Sequence, residues 1–120
     1  MGIKILNLTQ HPSSAEQKEA GVFDLPKDSV LFDALTFNEL PSKEAIETRA
    51  KLIAGIALTN DATHAMIGGA PYLMGALETA LKSRGVQPLY AFSERVSVEK
   101  EVNGEVVKTS VFKHLGFVEV

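Results

Sequence analysis

Residues Ala65–Arg84, AMIGGAPYLMGALETALKSR, decide the fold. A short apolar run meets two glycines, and Pro71 then opens an apolar-periodic helix that stops at Gly85. Proline suits the first helical position, where a backbone N–H would lack an intrahelical partner in any case. Glycine lets the chain turn sharply and lets a ligand come close to the backbone. The turn Gly68-Gly69-Ala70 therefore aims free N–H groups and a positive helix end at one point, where an anion such as phosphate would bind. A strand-to-helix turn with no ligand would look the same.

Working outward, strand and helix alternate. Ile3–Leu8 is a short β-rich run with the pattern of a buried strand. Ser14-Ala15-Glu16-Gln17 matches a capping box, predicting a helix from Ala15 to Ala20 that ends at Gly21. Residues 22–41 carry apolar positions interrupted by Pro26 and Pro41, which reads as a loop plus a helical turn covering one edge of the core. Ser42 caps a helix over Lys43–Leu58, with Ile46, Arg49/Ala50, Ile53 and Ala57 on its apolar face and Leu52 and Ile56 widening it. Thr63–Ile67 is the next strand and Pro71–Arg84 the next helix, where Gly75 would allow close packing on the sheet.

From Gln87 the period changes to two. Leu89–Val102 and Glu105–Lys113 flank Asn103-Gly104, a strong signal for a type I′ hairpin. A two-residue turn places Glu94 opposite Lys113, Glu99 opposite Lys108 and Val96 opposite Val111, all favourable cross-strand pairs. Gly116–Val120 reads as a further short strand. The expected fold is a single α/β, Rossmann-like domain over residues 1–120. Its sheet is mainly parallel, with helices on its faces and a long C-terminal β-hairpin.

Composition narrows the function. The 120 residues are 45% hydrophobic and 22% charged, as in an ordered globular domain. A net charge of −3 with no basic cluster argues against long duplex nucleic acid as partner, while a small anionic ligand remains compatible. No apolar run approaches the ~18 residues of a membrane span, and the N-terminus lacks the order of a secretion signal, so a cytoplasmic protein is expected. The absence of cysteine excludes thiolate catalysis. No metal is expected, because His11, His64 and His114 lack ligand spacing and Asp24, Asp28 and Asp33 do not form a calcium loop. Without a G-x-G-x-x-G fingerprint, a phosphate-loop lysine or a G-x-S-x-G elbow, no nicotinamide or nucleotide cofactor and no serine hydrolase is expected.

Ligands in parallel α/β sheets sit beyond the carboxyl ends of the strands. Asn7–His11, Gly68–Tyr72 and Ser93–Arg95 all reach that edge. His11, an imidazole in a polar loop after a strand, is the candidate proton donor, with Asn7, Thr9 and Gln10 as hydrogen-bonding neighbours. Arg95 is the candidate phosphate clamp, Tyr72 a stacking surface for a base, and Ser93 a further ligand contact. Each also has a plain structural reading: a loop histidine, a solvated arginine, an aromatic capping the core.

Ile5-Leu6-Asn7-Leu8-Thr9-Gln10-His11-Pro12, followed by Glu16-Gln17, resembles the start of small stand-alone CRISPR ring nucleases. The later order of strand, small-residue turn, helix and G-x-x-P-x-x-x-F (Gly85 to Phe92) is similar to theirs. The resemblance implies a Rossmann-like homodimer that binds cyclic oligoadenylate at its interface and cleaves it without metal. Gly68, Gly69 and Ala70 would then hold phosphate, with His11 and Arg95 assisting cleavage. The opening and IGGAPYL also resemble uncharacterised bacterial and prophage-borne proteins. The rival expectation is accordingly a non-enzymatic binding or structural module that assembles through its hairpin.

Overall fold

Ile5–Leu8 forms the first strand, β1, and is wholly buried, whereas Ile3, expected within it, is 65% exposed. The computed structural model describes residues 2–26 and 30–120. Helix α1 follows at Ala15–Glu19, and both bonds of the capping box are present. The Ser14 hydroxyl accepts from the Gln17 N–H, and the Gln17 side chain accepts from the Ser14 N–H.

The region from 22 to 41 holds more order than a loop with one turn. Val22–Phe23 is a strand, β2, pairing in parallel with Ile5 and Leu6, and Val30–Ala34 is a short helix, α2. Part of that region, residues 27–29 with Asp28, lies outside the described residues. A two-residue strand cannot display an alternating pattern, so β2 is invisible to periodicity.

Helix α3 spans Lys43–Thr59 with Ser42 as N-cap, strand β3 spans His64–Ile67, and helix α4 spans Pro71–Ser83. Strands β4, Gln87–Val102, and β5, Glu105–Glu119, complete a five-stranded sheet in the order β2-β1-β3-β4-β5. The first four are parallel and β5 is antiparallel to β4.

Alternation along the strands sorts the core. Leu6, Leu8, Ala65 and Ile67 face α3 and α4 and join Ile53, Ala57, Leu73 and Leu77 in the main cluster. Ile5, Val22, Met66 and Leu89 form a smaller cluster on the opposite sheet face, with Phe117 packed against it. The Tyr90 hydroxyl donates to Glu78 Oε2 at 2.7 Å, tying β4 to α4, and burial together with that carboxylate pushes the phenol up to about 12. Leu52, expected to widen the apolar face of α3, is 46% exposed. Gly75 is not a close-packing position, since a Cβ there would meet open space. The tight glycine is Gly55, where a Cβ would lie 3.2 Å from Arg84 Nη1.

The hairpin has the expected turn and register. Asn103 and Gly104 both take positive φ, 52° and 81°, as a type I′ turn demands. Glu94 pairs with Lys113, Glu99 with Lys108, and Val96 with Val111. Gly116–Val120 is not a separate strand. After Ser93–His114 the register shifts, Phe92 pairs with Gly116, and Leu115 bulges out while β5 continues to Glu119. Only Gln87–Leu89 of β4 pair with β3, so the rest of the hairpin runs on as a two-stranded arm. Among the described residues no helix is long and apolar enough to cross a membrane.

Candidate functional site

Asn7 is 4% exposed near the end of β1, a position where an unpaired amide would be costly. Its Oδ1 accepts from the Thr9 N–H at 2.9 Å and the Thr9 hydroxyl at 2.7 Å. Its Nδ2 donates to the His11 carbonyl at 2.8 Å and to Asp24 Oδ1 at 2.9 Å. The expected ligand contact is thus fully occupied in folding the Thr9–Ser13 loop and fastening it to the chain after β2.

Asp24 completes that clamp by accepting from the Ser13 N–H, at 3.1 Å to Oδ2. Its partial burial raises the carboxyl pKa. The Asn7 amide, Ser13 and the positive charge of Lys18 outweigh that and hold it below the ordinary value. The Ser13 hydroxyl lies close enough to contribute, though it is buried and forms no hydrogen bond of good geometry.

Around this clamp opens a cleft of about 590 Å³. Thr9, Gln10 and His11 line it together with Asp24, Leu25 and Phe32. Its walls are mostly apolar with a few polar groups, the usual make-up of a small-molecule site. Phe32 is 49% exposed and gives the cleft an open aromatic surface. Gln10 Nε2 donates to Thr36 Oγ1 at 2.8 Å, closing the loop over the segment after α2. Arg49 Nη1 holds that segment from below, donating to the carbonyls of Asp33, Ala34 and Thr36 at 3.3, 3.1 and 2.6 Å.

The remaining candidates lie elsewhere. Gly68 stands beside the β1 loop, where a Cβ would be 3.5 Å from Thr9 Cγ2. Gly69 takes φ +138°, a conformation that L side chains rarely adopt. Ala70 is the N-cap of α4 and makes no side-chain cap bond, while its carbonyl accepts from the Leu73 N–H at 3.0 Å. This turn neighbours Thr9 and is not part of the cleft lining. Tyr72 is exposed and meets Phe37 edge to face with centroids 5.3 Å apart. Ser93 and Arg95 do not join the cleft. Both sit on the arm, Ser93 opposite His114 and Arg95 with its guanidinium 5.3 Å from the Phe112 ring centroid.

The structure thus brings Asn7, Thr9, Gln10 and His11 together, sets Gly68–Ala70 beside them, and separates the arm residues. The sequence does not mark Asp24, Leu25 and Phe32 as cleft residues, because they follow a two-residue strand or lie in a segment without periodicity. No curated protein and no solved structure matches the chain. Residues 3–118 match the model described as the Uncharacterized protein MJ1673 family, and with nearly its whole length covered the chain belongs to that family.

Proposed function

We propose that this chain binds an oligonucleotide of the cyclic oligoadenylate type and cleaves it without metal, as a cytoplasmic homodimer. The observation that carries this reading is the cleft beyond β1 and β2, which joins His11, Gln10 and Thr9 to the exposed ring of Phe32. An aromatic face stacks on any base. Because the Asp24 carboxylate lies in the cleft, that space suits a nucleoside, while the phosphate goes to the amides of Gly68–Ala70 and the positive end of α4. The likeness of Ile5–Pro12 to the opening of CRISPR ring nucleases supports the same substrate class.

In the reaction a ribose 2′-oxygen loses its proton to water and attacks the adjacent phosphorus, and the P–O5′ bond breaks. His11 gives the departing 5′ oxygen a proton, leaving a 2′,3′-cyclic phosphate and a 5′-hydroxyl. Arg95 and Ser93 have no part in this single-chain arrangement.

Incubation with cyclic tetra- and hexa-adenylate in the presence of a chelator should yield linear products with cyclic-phosphate ends. His11→Ala should slow cleavage by about 10²–10⁴-fold, with the ligand-induced rise in melting temperature retained. Absence of both thermal shift and cleavage would exclude this reading. The arm, with its exposed valines, favours one alternative: a non-enzymatic module that assembles without nucleotide affinity.

A further inference from the structure

Most polar side chains that line the cleft are already spent on the protein itself. Both hydrogens of the Asn7 amide are used, one on the His11 carbonyl and one on Asp24, and its oxygen accepts twice from Thr9. The Thr9 hydroxyl has a single proton, and it goes to Asn7 Oδ1 or the His11 carbonyl. Gln10 commits an amide N–H to Thr36. Asp24 differs. Leu6 pairs with Phe23 across β1 and β2, which sets Asp24 beside Asn7 at the carboxyl edge of the sheet. Its Oδ1 accepts from Asn7 and from the Ser13 N–H, whereas among the described residues Oδ2 takes only the Ser13 N–H, at 3.1 Å. A carboxylate oxygen accepts about two hydrogen bonds, so Oδ2 has room for a donor brought by a ligand. Asp24 is exposed and lines the same cleft as the open ring of Phe32.

We infer that Asp24 selects the base, accepting a hydrogen bond from an exocyclic amino group such as N6 of adenine while the base lies on Phe32. This rests on the oligonucleotide reading proposed above and names the residue that sets its specificity. An aromatic ring stacks on every base and distinguishes none. A carboxylate accepts from an amino group and repels the lone pair of a carbonyl or ring nitrogen in the same place. The Asp24 carboxyl, held below its ordinary pKa, is ionised at neutral pH and so accepts without being able to donate. The bonds from Asn7 and Ser13 already fix its orientation, so little freedom is lost when a base arrives. Asn7, whose amide could itself read adenine, has neither hydrogen left to offer.

Two ligands isolate the amino group: cyclic tetra-adenylate, and the same ring built from purine riboside, which lacks only that group. A 2′-fluoro substituent in both removes the attacking oxygen, so titration calorimetry reads binding alone. The parent protein should bind the adenine ring about tenfold more tightly or better, the scale of one hydrogen bond to a charged group. In Asp24→Asn, Asn7 and the Ser13 N–H should draw the new amide oxygen to their side and turn its NH₂ toward the ligand. The preference should then vanish or invert, since that donor suits a bare ring nitrogen and opposes an amino group. Asp24→Ala, which offers neither donor nor acceptor, should bring the ratio near one. Phe32→Ala should weaken both rings by a similar factor and keep the ratio. Equal binding of the two rings by the parent protein would overturn the inference while leaving oligonucleotide binding standing. Asp24 variants that keep the full preference, or that weaken both rings equally, would overturn it too. Binding of neither ring would overturn the oligonucleotide reading itself, and this inference with it.

Discussion

At the scale of single residues the site rests on an amide and a carboxylate rather than on the histidine they support. Asn7 and Asp24 together bind the His11 carbonyl, Thr9 and the Ser13 N–H, so the loop that presents His11 is held at several points. Their geometry has a pH signature. The folded pKa of Asp24 lies below its ordinary value of 3.8, so its carboxylate stabilises the fold above that pH. The contribution is lost as pH falls through the folded pKa. Asp24 is largely exposed, so solvent screening limits the effect to about 1 kcal/mol or less. Asp24→Asn should therefore lower the urea midpoint at pH 7, and the gap from the parent protein should close as the pH falls from 3.8 through the lowered folded pKa. A gap that persists there would mean that the carboxylate charge is not what matters.

At the scale of elements, Arg49 joins two helices that would otherwise share little. Its guanidinium spans the carbonyl end of α2 and stands over Phe37, 4.6 Å from the ring centroid. Through Thr36 it also supports the residue that Gln10 grasps across the cleft. Hydrogen bonds from a charged donor contribute about 1.5–3 kcal/mol. Arg49→Met, which keeps the packing stem, should lower the unfolding free energy by an amount in that range and loosen the cleft wall. Chemical denaturation reads the first, and hydrogen exchange at Thr36 and Phe37 reads the second. The sequence places Arg49 with Ala50 on the apolar face of α3 but names no partner for its guanidinium, because the carbonyls of Asp33, Ala34 and Thr36 lie in a segment without clear periodicity. The same logic separates what was legible elsewhere. The hairpin register could be read since Glu94–Lys113, Glu99–Lys108 and Val96–Val111 agree on one alignment around Asn103-Gly104. The turn into α4 could be read from glycine and proline chemistry alone. Strand β2 and the far wall of the cleft could not, because Val22–Phe23 takes its place from pairing with β1, a tertiary contact.

At the scale of the whole molecule the fold has two parts of unequal stability. The Cα radius of gyration is 16.7 Å, against roughly 14 Å for a compact chain of this length. The excess comes from the arm, whose Ser93–Val102 strand reaches roughly 30 Å at about 3.4 Å per residue. An isolated two-stranded ribbon is marginal in water. In a single chain its amides should open at low free energy, while those of β1 and β3, flanked by strands and buried under α3 and α4, should open only with the whole domain. Association of two copies through the arm would change only the first of these. Amide exchange followed from about 5 to 200 µM protein should then show protection rising with concentration between Arg95 and Phe112, and constant protection at Leu6, Ala65 and Ile67. Protection that rises in the core as well would mean that the domain itself folds only as a dimer. Arm protection that is high and independent of concentration would mean that the ribbon is stable within one chain, and its exposed valines would then need no partner to explain its order.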